Sequence, residues 1–91
     1  MTKTVKYRIT GRVQGVGFRW FTTENARKLG VKGTVKNCAD GSVEVVAQAD
    51  ENTLTDFERK LNDGPSSARV DRFDAEELKG SKTYNNFEVV Y

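Results

Sequence analysis

The sequence predicts an α+β sandwich in the order β-α-β-β-α-β, with a mostly antiparallel sheet, two helices on one face and an extra short C-terminal strand. Three observations lead there. Apolar and polar residues alternate with a period of two through short runs near the start and middle of the chain. Two longer runs instead repeat their apolar residues three or four positions apart. Glycine, Asp-Gly and Gly-Pro mark the junctions.

The first strand sets Val5, Tyr7 and Ile9 against Lys6, Arg8 and Thr10, which gives it one buried face. A loop, Gly11-Arg12-Val13-Gln14-Gly15-Val16-Gly17, follows it. The first helix is expected from Phe18 or Arg19 to Leu29, with Phe18, Phe21, Ala26 and Leu29 towards the core and Gly30 as its left-handed stop. The second strand places Val31, Gly33, Val35 and Asn37 on one face and Lys32, Thr34 and Lys36 on the other. Asn37 to Ser42 reads as a hairpin turn around Asp40-Gly41, and the third strand alternates from Val43 to Ala49. Asp50 to Thr53 supply capping residues for a second helix with the stripe Leu54, Phe57 and Leu61, ended by Gly64-Pro65. A fourth strand covers roughly Ala68 to Glu76 and carries Val70 and Phe73; the last covers Phe87 to Tyr91. Two helices laid on such a sheet make the ferredoxin-like arrangement, which many unrelated activities share.

Residues 1–91 are expected to form one domain. A net charge of +2 argues against a nucleic-acid footprint, which needs a basic face. No apolar run approaches the roughly 20 residues that span a bilayer. The single cysteine, Cys38, has no partner for an internal disulfide, so a cytoplasmic setting is expected. Histidine is absent, which removes Ser-His-Asp and Cys-His catalysis and most zinc sites. Chemistry is left to arginine, lysine, asparagine, carboxylates, hydroxyls and the backbone.

The stretch Gly11 to Arg19 stands out against that background. Gly11, Gly15 and Gly17 allow positive φ and close approach of main chain to a ligand. The loop empties into a helix start, where amides lack intrahelical partners and the dipole is positive. Converging amides with Arg19 at their rim form an anion site suited to phosphate. Taken alone, Arg19 is equally an arginine solvated on a helix, and Asn37 a hairpin residue satisfying turn groups.

These residues resemble the acylphosphatase family, small enzymes that hydrolyse acyl phosphates. The resemblance also covers Gly30-Val31-Lys32-Gly33-Thr34-Val35-Lys36-Asn37, the hairpin Asp40 to Val45, the segment Gly64 to Val70 and the closing Phe87 to Tyr91. It implies that Arg19 binds the phosphoryl group and that Asn37 positions water. The phosphate cradle would be the backbone amides of Arg12, Val13, Gln14, Gly15 and Val16. It further implies an acyl phosphate substrate, inorganic phosphate as product, and no metal or cofactor. A monomer is expected, with no nucleic acid or membrane partner.

Cys38 is not expected to act as a nucleophile, because a cysteine phosphatase needs an arginine about six residues on and position 44 is glutamate. Trp20, opposite Phe18 and Phe21 on the helix, either lines an acyl pocket or covers a neighbouring loop. The alternative class is a non-catalytic ferredoxin-like module that binds an anion or RNA. The RNA version needs aromatics on a central strand, whereas Phe18, Trp20 and Phe21 fall at helix spacing.

Overall fold

The computed structural model describes residues 2–80 and 82–91. The elements are β1 (Thr2–Arg12), α1 (Phe18–Leu29), β2 (Lys32–Asn37), β3 (Val43–Asp50), α2 (Glu51–Asp63), β4 (Arg69–Leu78) and β5 (Phe87–Val89). The expected order holds throughout. The fourth strand starts one residue later and runs two further than its apolar residues indicate, and the fifth ends at Val89 instead of continuing to Tyr91.

The strands lie in the order β4-β1-β3-β2-β5. β1 is antiparallel to both β3 and β4, β2 is antiparallel to β3, and β5 joins β2 in parallel. Register fixes what shares one end of the sheet. Ile9 sits opposite Val43, and Val43 sits opposite Asn37, so the loop leaving β1 and the tip of β2 are two strand spacings apart, about 10 Å. Val35 pairs with Val89, which sends the residues after β5 to the same end.

The core follows the predicted periodicities, with one correction. Leu54, Phe57 and Leu61 of α2 are buried as expected, but α1 buries Phe18, Thr22, Thr23 and Ala26, while Phe21 and Leu29 are only half-buried. Threonine tolerates this place because each hydroxyl donates to a carbonyl one turn back: Thr22 Oγ1 to Phe18 O and Thr23 Oγ1 to Arg19 O, both at 2.8 Å. The helices meet the inward residues Tyr7, Ile9, Val35, Val43, Val45 and Phe87. Phe57 packs edge-on to Phe87 with ring centroids 6.2 Å apart, and Tyr7 lies 5.3 Å from Phe73. The Tyr7 hydroxyl donates to Glu58 Oε2 at 2.8 Å; burial first, and that carboxylate second, push the phenol far above its ordinary pKa.

A bulge shapes β4. Thr10 pairs with Arg72 and Gly11 with Val70, so Asp71 is the extra residue. Val70 and Phe73 therefore both pack on the core although an odd number of positions separates them. A side chain at Gly11 would collide with the Arg69 carbonyl.

Phe57→Ala is expected to cost about 3–5 kcal/mol in urea-induced unfolding. Trp20→Ala, at a side chain left 70% exposed, is expected to cost under about 1 kcal/mol.

Candidate active site

The two helices begin differently. At α2, Asp50 accepts a hydrogen bond from the Thr53 amide at 2.7 Å, an ordinary carboxylate cap that holds the Asp50 carboxyl below its usual pKa. α1 has Gly17 at the cap position, in the left-handed region, with no side-chain cap and no acidic residue in its first turn. Among the described residues, no backbone N–H from Gln14 to Trp20 donates to a protein acceptor; the first to do so is Phe21, to Gly17 O at 3.0 Å. A run of free donors thus ends at the positive end of a helix.

Other atoms of the loop pin it in place. Val13 turns its side chain into the core at 1% exposure. The Val16 carbonyl accepts from Ser67 Oγ at 3.0 Å, and Val16 itself packs on the core. Gly15 (φ 72°) and Gly17 (φ 79°) take conformations that other residues adopt at a cost, and both are exposed.

Gln14 makes the connection that sequence reasoning missed. Its Nε2 donates to Cys38 O at 2.8 Å and to Ser42 O at 2.9 Å, so it reaches across to the β2–β3 hairpin. That hairpin is braced from below as well. Cys38 N donates to Ser42 O at 2.8 Å, and the Asp40 carboxylate accepts from Ser42 N at 2.9 Å and Ser42 Oγ at 2.6 Å. Arg8 Nη1 reaches Asp40 Oδ2 at 3.2 Å and Ser42 Oγ at 3.1 Å. The two Ser42 hydrogen bonds, helped by Arg8, hold the Asp40 carboxyl below its usual pKa. The one signal of this in the sequence is Asp-Gly-Ser at the turn.

Asn37 is the last residue of β2, beside that hairpin and on the inward face with Gly33 and Val35. Its Oδ1 is buried and has no hydrogen-bond partner among the described residues. An acceptor in that state needs a donor to complete it. Cys38 turns the other way, its Sγ 3.9 Å from Glu44 Oε2.

Arg19, on the first turn of α1, has no carboxylate within ion-pairing distance among the described residues, and neither do Arg12 and Arg27. Arg8, Arg59, Arg69 and Arg72 are all paired. The Arg19 guanidinium lies 5.4 Å from the centre of the Tyr91 ring. A cavity of about 440 Å³ opens between the loop, α1 and the end of the chain. Of the residues assigned from sequence, Val13, Gly15 and Arg19 line it; Arg12, Gln14, Val16 and Asn37 do not. Arg12 closes β1, opposite Arg69, with its side chain exposed. The arrangement suits an anion gripped by loop amides and Arg19, with Gln14 tying the loop to the hairpin that follows Asn37.

Comparison with known proteins agrees with this geometry. The family model described as acylphosphatase matches residues 5–89. The chain is 50% identical over 90 residues to an acylphosphatase of Lactobacillus johnsonii, covering 98% of this chain and 99% of that one. It superimposes on the crystal structure of acylphosphatase from Bacillus subtilis with a TM-score of 0.94, at 35% identity and full coverage of both chains. An acylphosphatase from Coxiella burnetii gives a TM-score of 0.92 at 31% identity, covering 98% of this chain and 93% of that one.

Ser42→Ala is expected to raise the Asp40 pKa towards its ordinary value in a carboxyl NMR titration, because the principal hydrogen-bond donor is gone. As the folded-state pKa is the depressed one, the carboxylate's contribution to stability is present above the ordinary aspartate pKa. It is lost as pH falls through the folded value. The parent should therefore lose more stability than Ser42→Ala on acidification through that window.

Proposed function

This chain belongs to the acylphosphatase family, and from that premise we propose that it hydrolyses acyl phosphates to a carboxylate and inorganic phosphate, with Arg19 and the loop amides binding the phosphoryl group and Asn37 positioning water. The observation that supports the reading best is the run of backbone donors without a protein acceptor among the described residues, ending at a helix start with no side-chain cap beside an arginine with no carboxylate partner among those residues.

The chemistry asks little of side chains that ionise. The leaving group is a carboxylate whose conjugate acid has a pKa of roughly 4 to 5, so no general acid is required. Amides of residues 12–16 and the Arg19 fork meet the oxygens of the phosphoryl group, where charge is spread in the transition state. The Asn37 carboxamide oxygen accepts one O–H of the attacking water, leaving a lone pair free for phosphorus. Water adds as the P–O bond to the acyl oxygen breaks, and the proton passes to a phosphoryl oxygen. In this reading Gln14 is a positioning residue that sets the distance between loop and hairpin.

The reading takes residues 1–91 as one catalytic unit, acting as a monomer in the cytoplasm without metal or cofactor. Among the described residues no helix is long and apolar enough to cross a membrane. The RNA-binding alternative is not favoured, because Phe18, Trp20 and Phe21 lie on α1 and not on a central strand.

With benzoyl phosphate as substrate and EDTA present, the parent is expected to release phosphate. Arg19→Gln should lower kcat/KM at least about a hundredfold and weaken inhibition by inorganic phosphate. Asn37→Ala should lower kcat by about 10²–10³ while phosphate inhibition stays within about twofold. Equal turnover by Asn37→Ala and the parent removes Asn37 from the mechanism.

A further inference from the structure

The cavity that begins at the loop does not stop there. On α1, Arg19, Thr23 and Arg27 follow one another at intervals of one turn, and all three line it. Across from them runs β5 with the residues after it, in the opposite direction to α1. Two contacts fix this: Arg19 lies 5.4 Å from the Tyr91 ring centre, and Arg27 Nη2 lies 3.5 Å from Phe87 O. The spans are compatible. Arg19 to Arg27 is about 12 Å of helix rise, and the four residue steps from Phe87 to Tyr91 reach at most about 13–14 Å. The cavity is therefore a trough with a guanidinium at each end.

The rest of its lining has a different character. Trp20 and Tyr91, 70% and 100% exposed, are the two large hydrophobic side chains left in solvent among the described residues, and both stand at this trough. Val89 lines it beside them, and the Thr23 hydroxyl is already engaged with Arg19 O. At the far end Arg27 has no carboxylate partner among the described residues. Two cations without a carboxylate partner among the described residues, with apolar side chains lining the same trough, suit a ligand that is anionic at both ends and apolar between.

We propose that this trough binds the acyl part of the substrate, and that Arg27 selects acyl phosphates whose acyl chain ends in a second anionic group. The inference rests on Arg19 and the loop holding the phosphoryl group, which orients the acyl chain along α1. Arg19 and Arg27 leave the helix about 12 Å apart, and the fitting acyl chains are short and dicarboxylic. The distal carboxylate is unchanged during hydrolysis, so Arg27 contributes equally to substrate and transition state. Its effect falls on KM, not on kcat.

The test compares glutaryl phosphate with pentanoyl phosphate, which has the same chain length and no distal carboxylate. At low ionic strength the parent is expected to favour glutaryl phosphate about tenfold in kcat/KM, carried by KM, and the preference should shrink as salt is raised. Arg27→Gln should bring the ratio of the two kcat/KM values to about one, and Arg27→Lys should retain most of it. Arg27 is exposed, so neither variant is expected to disturb folding. A parent that turns over both substrates equally overturns the proposal, as does a ratio that survives in Arg27→Gln. A parent that hydrolyses neither overturns the reading of the phosphoryl site itself.

Discussion

The backbone amides between β1 and α1 make a demand that no protein atom among the described residues meets. A polypeptide satisfies its N–H groups by secondary structure, by caps or by water, and a run without protein acceptors is unusual beside a packed core. Here the run is built in, because Gly17 occupies the cap position where α2 has Asp50. A carboxylate at position 17 would complete the helix and compete with any anion for the same donors. The glycine keeps the site open, and Val13, Gln14 and Val16 hold its shape from three sides.

The rest of the fold places the partners of that loop. Because β1 is antiparallel to β3 and β3 to β2, the exit of β1 and the tip of β2 share one end of the sheet. β5 adds in parallel to β2 and brings Tyr91 there too, over Arg19. The core of Tyr7, Ile9, Val45, Phe57 and Leu61 lies beneath the layer that carries these groups. Burial of each large side chain is worth roughly 1.5–3 kcal/mol, so the platform rests on apolar contacts that make no direct demand on the site.

What was legible in the sequence was what repeats or what punctuates. Alternation marked β1, β2 and β3, the 3–4 spacing marked α2, and Gly30 and Asp40-Gly41 marked a helix end and a hairpin. Thr22 and Thr23 escaped a hydrophobicity pattern because their polarity is cancelled within the helix by bonds to the preceding turn. β5 ended early where its ladder to β2 stops at Val89. In the site, the glycine loop announced itself by composition. The contribution of Gln14 did not, since its partners lie 24 and 28 residues away and only the closed sheet brings them within reach. Nor did Arg8, whose place on the polar face gives no hint that it braces Asp40 and Ser42.

A chain without histidine can carry this reaction because the difficulty lies in geometry more than in proton transfer. The mixed anhydride leaves as a weak base, so the protein has only to fix a phosphoryl group and a water relative to each other. Two loops on separate strands would ordinarily drift relative to each other, since loops are the mobile parts of a domain. Here they leave strands about 10 Å apart, and one carboxamide spans the gap with two hydrogen bonds to main-chain carbonyls that no side-chain change in the hairpin can remove. That bridge fastens the loop to the hairpin that begins beside Asn37, whose buried carboxamide oxygen has no hydrogen-bond partner among the described residues.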